Sequence, residues 1–216
     1  MKAKTLLIAA AALAATVISS EAQTVYSANI VGYVNVSLPG AASYSLVATP
    51  LDDGHGNQLT NLFAGLPTGS SITTWNGSGY NPAISLLAGG WSGTQSLPPG
   101  TGYFVKNGKP ASPVYTNTFV GSVVAAPSGG MVTNALALGY NLVGSQVPYA
   151  GDLTTDTNLN LPAAKGGSIT TWNGSGFNPA SSFIAGAWSA PEPVNVGQGF
   201  FVYQKFNGTN WVQILH

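Results

Sequence analysis

The chain has 216 residues, six basic and six acidic, so only 6% of its positions are charged, against roughly a quarter in ordinary soluble proteins. It has no cysteine, which excludes disulfides, thiolate metal sites and a lipid-modified cysteine anchor. A nucleic-acid surface is excluded as well, because beyond the first 22 residues the only lysines are Lys106, Lys109, Lys165 and Lys205 and there is no arginine. A phosphate-neutralising stripe cannot be built from them.

Residues 1–22 have the layout of an export leader. Lys2 and Lys4 precede an apolar run from Leu6 to Ile18, and Ser20 and Ala22 supply the small residues of a cleavage site. Cleavage is expected before Gln23, delivering the chain to the periplasm, the cell surface or the medium. The apolar run is shorter than the ~20 residues that cross a membrane, and no transmembrane segment is expected.

The rest of the chain is a tandem repeat. Residues 69–105 align with 166–202 without a gap, with 22 identities in 37 positions. GSSITTWNGSGYNP at 69–82 returns as GGSITTWNGSGFNP at 166–179, YSLVAT at 44–49 as YNLVGS at 140–145, and VGYV at 31–34 as VGSV at 120–123. The alignment divides the chain into unit one, 23–113, and unit two, 114–216.

IVGYVNVSL alternates apolar and polar residues at period two, which on a strand gives one buried and one wet face. YSLVAT is a second short strand. Leu59, Leu62, Phe63 and Leu66 recur at helical spacing and predict a helix ending before Pro67. SITTW then leads through Asn76-Gly77-Ser78-Gly79 to an aromatic run, a hairpin in which Asn and Gly both tolerate positive φ. Each copy closes with a strand behind a Gly-x-Gly turn, GYFVKN at 102–107 and GFFVYQ at 199–204. Short strands between Gly, Pro and Asn turns, without crossover helices, predict an all-β fold. Two similar compact β-domains, barrel- or sandwich-like, are expected, with at most one or two short helices.

The mature start TVYSANIVGYVNVSLP, behind a leader ending ISSEAQ, resembles a family of secreted verrucomicrobial proteins. Each unit also resembles bacterial extracellular β-modules in which a W-x-G-x-G-[YF] hairpin leads to a closing Gly-x-Gly-aromatic strand. The resemblance implies a Gram-negative source and an exported location, and it brings no activity with it.

The candidate ligand-binding residues are Trp75, Tyr80 and Trp91 with their counterparts Trp172, Phe177 and Trp188. Flat rings flanked by Asn, Ser and Thr suit sugar faces; the competing reading is a cross-strand aromatic pair that stabilises a hairpin. Acids after the leader are limited to Asp52, Asp53, Asp152, Asp156 and Glu192, and His55 is the only histidine besides His216. Neither a glycosidase carboxylate pair, a serine-hydrolase triad nor a zinc site is legible in that set. The spacing in DGHGN matches no calcium loop. No catalytic residue, metal or cofactor is expected. The leading functional expectation is a non-enzymatic exported structural, surface or adhesion protein of the envelope or extracellular matrix, self-associating or retained there. The alternative is a carbohydrate-binding module for a neutral polysaccharide.

Overall fold

The computed structural model describes residues 31–40, 43–108, 114–124, 130–159, 161–162 and 164–214; the leader expected over 1–22 lies outside them. The fold is nearly all β. In the first unit, β1 (Val31–Leu38), β2 (Tyr44–Ala48), a one-turn helix α1 (Leu59–Leu62), β3 (Ser71–Thr74), β4 (Ile84–Leu87), β5 (Gly90–Trp91), β6 (Gly102–Lys106) and β7 (Tyr115–Ser122) follow in order. The second contains β8 (Met131–Leu136), β9 (Gly139–Gly144), β10 (Gly151–Asp152), β11 (Ser168–Thr170), β12 (Ser181–Ile184), β13 (Ala187–Trp188), β14 (Pro193–Val194), β15 (Gly199–Gln204) and β16 (Thr209–Ile214).

The repeat produces two equivalent five-stranded antiparallel sheets, ordered β2-β6-β3-β4-β5 and β9-β15-β11-β12-β13. Each is accompanied by a two-stranded ribbon, β1 with β7 and β8 with β16. The alternation in β1 is realised: Val34 and Val36 face inward and Leu38 is buried, while Val31, Tyr33 and Asn35 face out. Each unit has its own core. Ile72, Leu97, Tyr103 and Val105 fill the first, and Ile169, Val194, Phe200 and Val202 fill the second at matching positions.

Two expectations change in three dimensions. The sequence division at 113/114 assigns residues 115–122 to unit two, but β7 pairs with β1 along its whole length, from Val31↔Ser122 to Leu38↔Tyr115, and Phe119 is buried in the first core. The similar VGYV and VGSV segments are therefore largely strand partners; by topology the counterpart of β1 is β8. The helix is shorter than its apolar spacing implies. Leu59, Phe63 and Leu66 are all buried as that spacing requires, yet Phe63 already has φ −124° and leaves the helix. Core burial is satisfied by one turn, after which the chain tightens into an i→i−3 turn with Leu66 N–H donating to Phe63 O at 3.2 Å.

The units meet through a third apolar cluster, Leu46 and Phe104 from the first with Leu142 and Phe201 from the second, bordered by Trp75 and Trp172. Its hydrogen bonds are reciprocal: Ala48 N–H donates to Gly197 O at 2.9 Å, and Gly144 N–H donates to Gly100 O at 3.0 Å. Gly100 and Gly197 adopt φ of +83° and +76°, as the tight turns before β6 and β15 require. The second glycine of each pair serves the junction. A Cβ on Gly102 would stand 2.8 Å from Val143 N, and one on Gly199 would stand 2.7 Å from Val47 O.

The near-symmetry breaks at the centre of the junction. A Cβ on Gly144 would lie 2.1 Å from the Cβ of Ala48, so the junction accepts one methyl group and not two. Gly144→Ala is expected to destabilise the chain by about 1–3 kcal/mol through overpacking, and the swap Ala48→Gly with Gly144→Ala to recover most of that loss. Urea denaturation of the two variants beside wild type measures this; equal destabilisation by the single and the swap would contradict it.

Candidate functional site

The repeated hairpin is built locally. Trp75 bridges Tyr80 across the turn, as Trp172 bridges Phe177. Asn76 N–H donates to Gly79 O at 3.0 Å, while Asn76 Oδ1 accepts from Ser78 N–H at 3.0 Å and Gly79 N–H at 2.9 Å. Asn173 repeats this pattern with Ser175 and Gly176. Of the Asn-Gly pairs only the glycines take positive φ, +99° at Gly77 and +100° at Gly174. The asparagines instead act through their side chains, as acceptors that close the turn. Asn81 and Asn178 fasten the return strands to the Thr74 and Thr171 hydroxyls.

These hairpins carry their aromatic rings to the junction. The Trp75 indole donates to Tyr140 O and the Trp172 indole to Tyr44 O, both at 2.9 Å. Trp75 packs edge-to-face on Phe201 of the other unit, with centroids 5.3 Å apart, and Trp172 packs likewise on Phe104 at 5.3 Å. The cross-strand pairs also form, Trp75–Tyr80 at 5.1 Å and Trp172–Phe177 at 5.0 Å. The tryptophans thus join the units while Tyr80 and Phe177 cap the assembly, 49% and 45% exposed. Partial burial pushes the Tyr80 phenol above its ordinary pKa.

Tyr80 and Phe177 separate two apolar grooves of about 330 and 350 Å³. Trp75, Tyr140, Thr170 and Phe201 complete the first, and Trp172, Tyr44, Thr73 and Phe104 complete the second. The two linings correspond residue by residue through the repeat. Tyr44 and Tyr140 are 42% and 50% exposed, so four half-exposed rings form one surface crossing the junction. Lys106 Nζ lies 6.0 Å from the Tyr44 ring centroid; Tyr203 takes the corresponding place beside Tyr140, with centroids 4.7 Å apart.

Of the six sequence candidates, Trp75, Tyr80, Trp172 and Phe177 come together. Trp91 and Trp188 go elsewhere, packing at the edges of the separate unit cores, with Trp188 edge-to-face on Phe183 at 5.4 Å. Tyr44, Tyr140, Phe104 and Phe201 are the residues the sequence reading passed over. The retention of an aromatic ring at each pair of repeat positions was the signal available.

The acidic residues are occupied locally. Asp53 Oδ1 accepts from the His55 and Asn57 amides, and Asp52 Oδ1 from the Gly54 amide, so DGHGN is a self-bonded turn. Partial burial pushes the Asp152 carboxyl up, but hydrogen bonds, chiefly from the Thr154 hydroxyl and then from the Thr154, Glu192 and Thr155 amides, outweigh it and leave Asp152 below its ordinary value. Burial raises Glu192, with the nearby Asp152 charge adding to the effect and a hydrogen bond from Thr171 opposing it. In the first unit Gln95 stands at the equivalent position and accepts from the Thr74 hydroxyl at 3.3 Å. The site requires a hydrogen-bond acceptor, and a neutral amide supplies one.

No protein-family model, curated protein or solved structure matches the chain.

Two outcomes follow from this geometry. Trp75→Phe keeps the ring contact but removes the indole donor, and is expected to cost about 0.5–1.5 kcal/mol in chemical denaturation; an unchanged midpoint would exclude a contribution from that bond. The raised Glu192 carboxyl favours the protonated folded state. Its stabilising contribution is complete below the ordinary glutamate pKa and is lost as pH rises through the raised one. Glu192→Gln should therefore gain stability relative to wild type at neutral pH and flatten that part of the pH profile, which melting curves from acid to neutral pH measure.

Proposed function

We propose that the chain is a non-enzymatic exported structural or adhesion protein of a bacterial envelope or extracellular matrix, and that its contact surface is the aromatic patch at the unit junction. The carrying observation is the half-exposure of Tyr44, Tyr80, Tyr140 and Phe177 on one surface. A contiguous apolar patch of this kind, kept free of acids, suits contact with another surface. The acids that could serve hydrolysis are instead engaged in turns and strand ends. With 6% charged residues, the surface relies on Asn, Ser, Thr and Gly for solvation, which suits association with neutral material.

The same rings favour a second reading, a carbohydrate-binding module for a neutral polysaccharide. Its aromatic contact would be made by Tyr80 and Phe177 with Tyr44 and Tyr140, and not by a tryptophan platform. The indole N–H groups of Trp75 and Trp172 are committed across the junction, and their partly buried rings form walls of the grooves.

Cell fractionation tests the leading proposal. The wild-type chain is expected with the envelope or matrix, and Tyr80→Ser with Phe177→Ser to shift it into the soluble exported fraction while its melting transition persists. A wild-type protein that stays monomeric at high concentration and never fractionates with envelope or matrix would sink the proposal.

A further inference from the structure

We infer that the two grooves form one continuous subsite for a single extended neutral glycan, a β-linked chain of gluco- or xylo-configured rings, crossing the junction over Tyr80 and Phe177. This rests on the carbohydrate-binding reading and adds the ligand's configuration and its path.

Continuity comes from the lining. Tyr80 and Phe177 border both grooves, forming a shared ridge between them. Volumes of about 330 and 350 Å³ lie at the small end of the ~300–1,000 Å³ of ordinary ligand pockets. One groove suits a short saccharide, and only a longer chain reaches both.

The chemistry of the walls selects the ligand. Apart from tyrosine phenols, the lining has no ionisable side chain: it consists of aromatic rings and the hydroxyl-bearing Thr73 and Thr170. A cationic polymer would lose hydration there without gaining a partner, and an anionic one would meet a single ammonium, Lys106 at 6.0 Å from the Tyr44 ring centroid and beside one groove alone, too little to offset the desolvation of a repeated charge. A gluco- or xylo-configured ring has axial C–H groups on both faces and hydroxyls around its edge, matching ring walls with a hydroxyl-bearing rim. In an extended β-linked chain successive rings turn over, and because both faces are equivalent in this respect, the repeated ring sets can engage the same chain.

The rings are also pre-organised. Tyr80 is held edge-to-face by Trp75, Phe104 and Phe201 with centroid distances of 5.1, 5.8 and 6.5 Å. Phe177 is held by Trp172, Phe201 and Phe104 at 5.0, 5.7 and 6.2 Å. Each ridge ring thus contacts both units, and binding need order little side-chain freedom.

Calorimetric titration of the full secreted chain with cello- and xylo-oligosaccharides, from the disaccharide to the octasaccharide, tests the path. Affinity gels containing hydroxyethylcellulose, xylan or the polyanion alginate test the class. Affinity is expected to step up on the order of tenfold or more once the oligosaccharide crosses the ridge, as linked binding events do, with retardation by the neutral polymers and none by alginate. Tyr80→Leu and Phe177→Leu, which keep apolar bulk but remove the ring, should each abolish the step. Tyr33→Ser, which removes a 74% exposed ring on β1, should leave it intact. Binding that shows no length step, or a step that survives both leucine variants, overturns the continuous path while leaving the carbohydrate reading in place. Tighter binding of alginate overturns the neutral class. No binding of any neutral polymer by the folded wild type removes the carbohydrate reading and this inference together.

Discussion

The Trp75 indole is satisfied by a carbonyl of β9, and the Trp172 indole by a carbonyl of β2. This reciprocal exchange, supported by the matched Gly100 and Gly197 carbonyl bonds, fixes how the two units sit against one another. A bond that needs an indole and a carbonyl within 2.9 Å tolerates little sliding, and the absence of Cβ atoms at Gly102 and Gly199 allows the required backbone approach. The arrangement is that of a symmetric homodimer interface realised within one chain. Its central methyl, present on Ala48 and missing from Gly144, differentiates the two halves: two copies of unit one would place two methyl groups where there is room for one.

The exposed surface follows from that docking. Once the indole edges and the Phe104 and Phe201 rings are committed to the junction, Tyr80 and Phe177 are left on top of them, each in edge contact with rings of both units. A patch so braced keeps its shape without charges or disulfides, neither of which this composition supplies in quantity. The acids have a different place in the structure. Asp52 and Asp53 close a turn, and the Glu192 position works as a neutral acceptor in the other copy, where Gln95 makes the equivalent threonine hydrogen bond.

The hairpin was legible because its determinants are consecutive: β-branched strand residues, an Asn-Gly turn and an aromatic return strand within one short segment. Even there the mechanism differed in detail, since Asn76 and Asn173 act through side-chain acceptors and leave positive φ to the glycines. The candidate site was half legible. Trp75, Tyr80, Trp172 and Phe177 share a surface, while Trp91 and Trp188, equally well kept between the copies, belong to the separate unit cores. Repeat conservation within the chain marks all six alike, because core packing and junction packing ask for the same ring.

The sequence by itself determined the all-β class, the duplication, the hairpins and the scarcity of charge, because strand alternation and turn chemistry are written in neighbouring residues. Only the tertiary structure decided that β7 closes the first unit, that Gly-x-Gly serves the junction as well as the turn, and that Tyr44, Tyr140, Phe104 and Phe201 complete the aromatic surface. Those outcomes depend on contacts between residues as far apart as Tyr44 and Trp172. Their partners are chosen by shape and hydrogen-bond geometry across the fold, which no local pattern encodes.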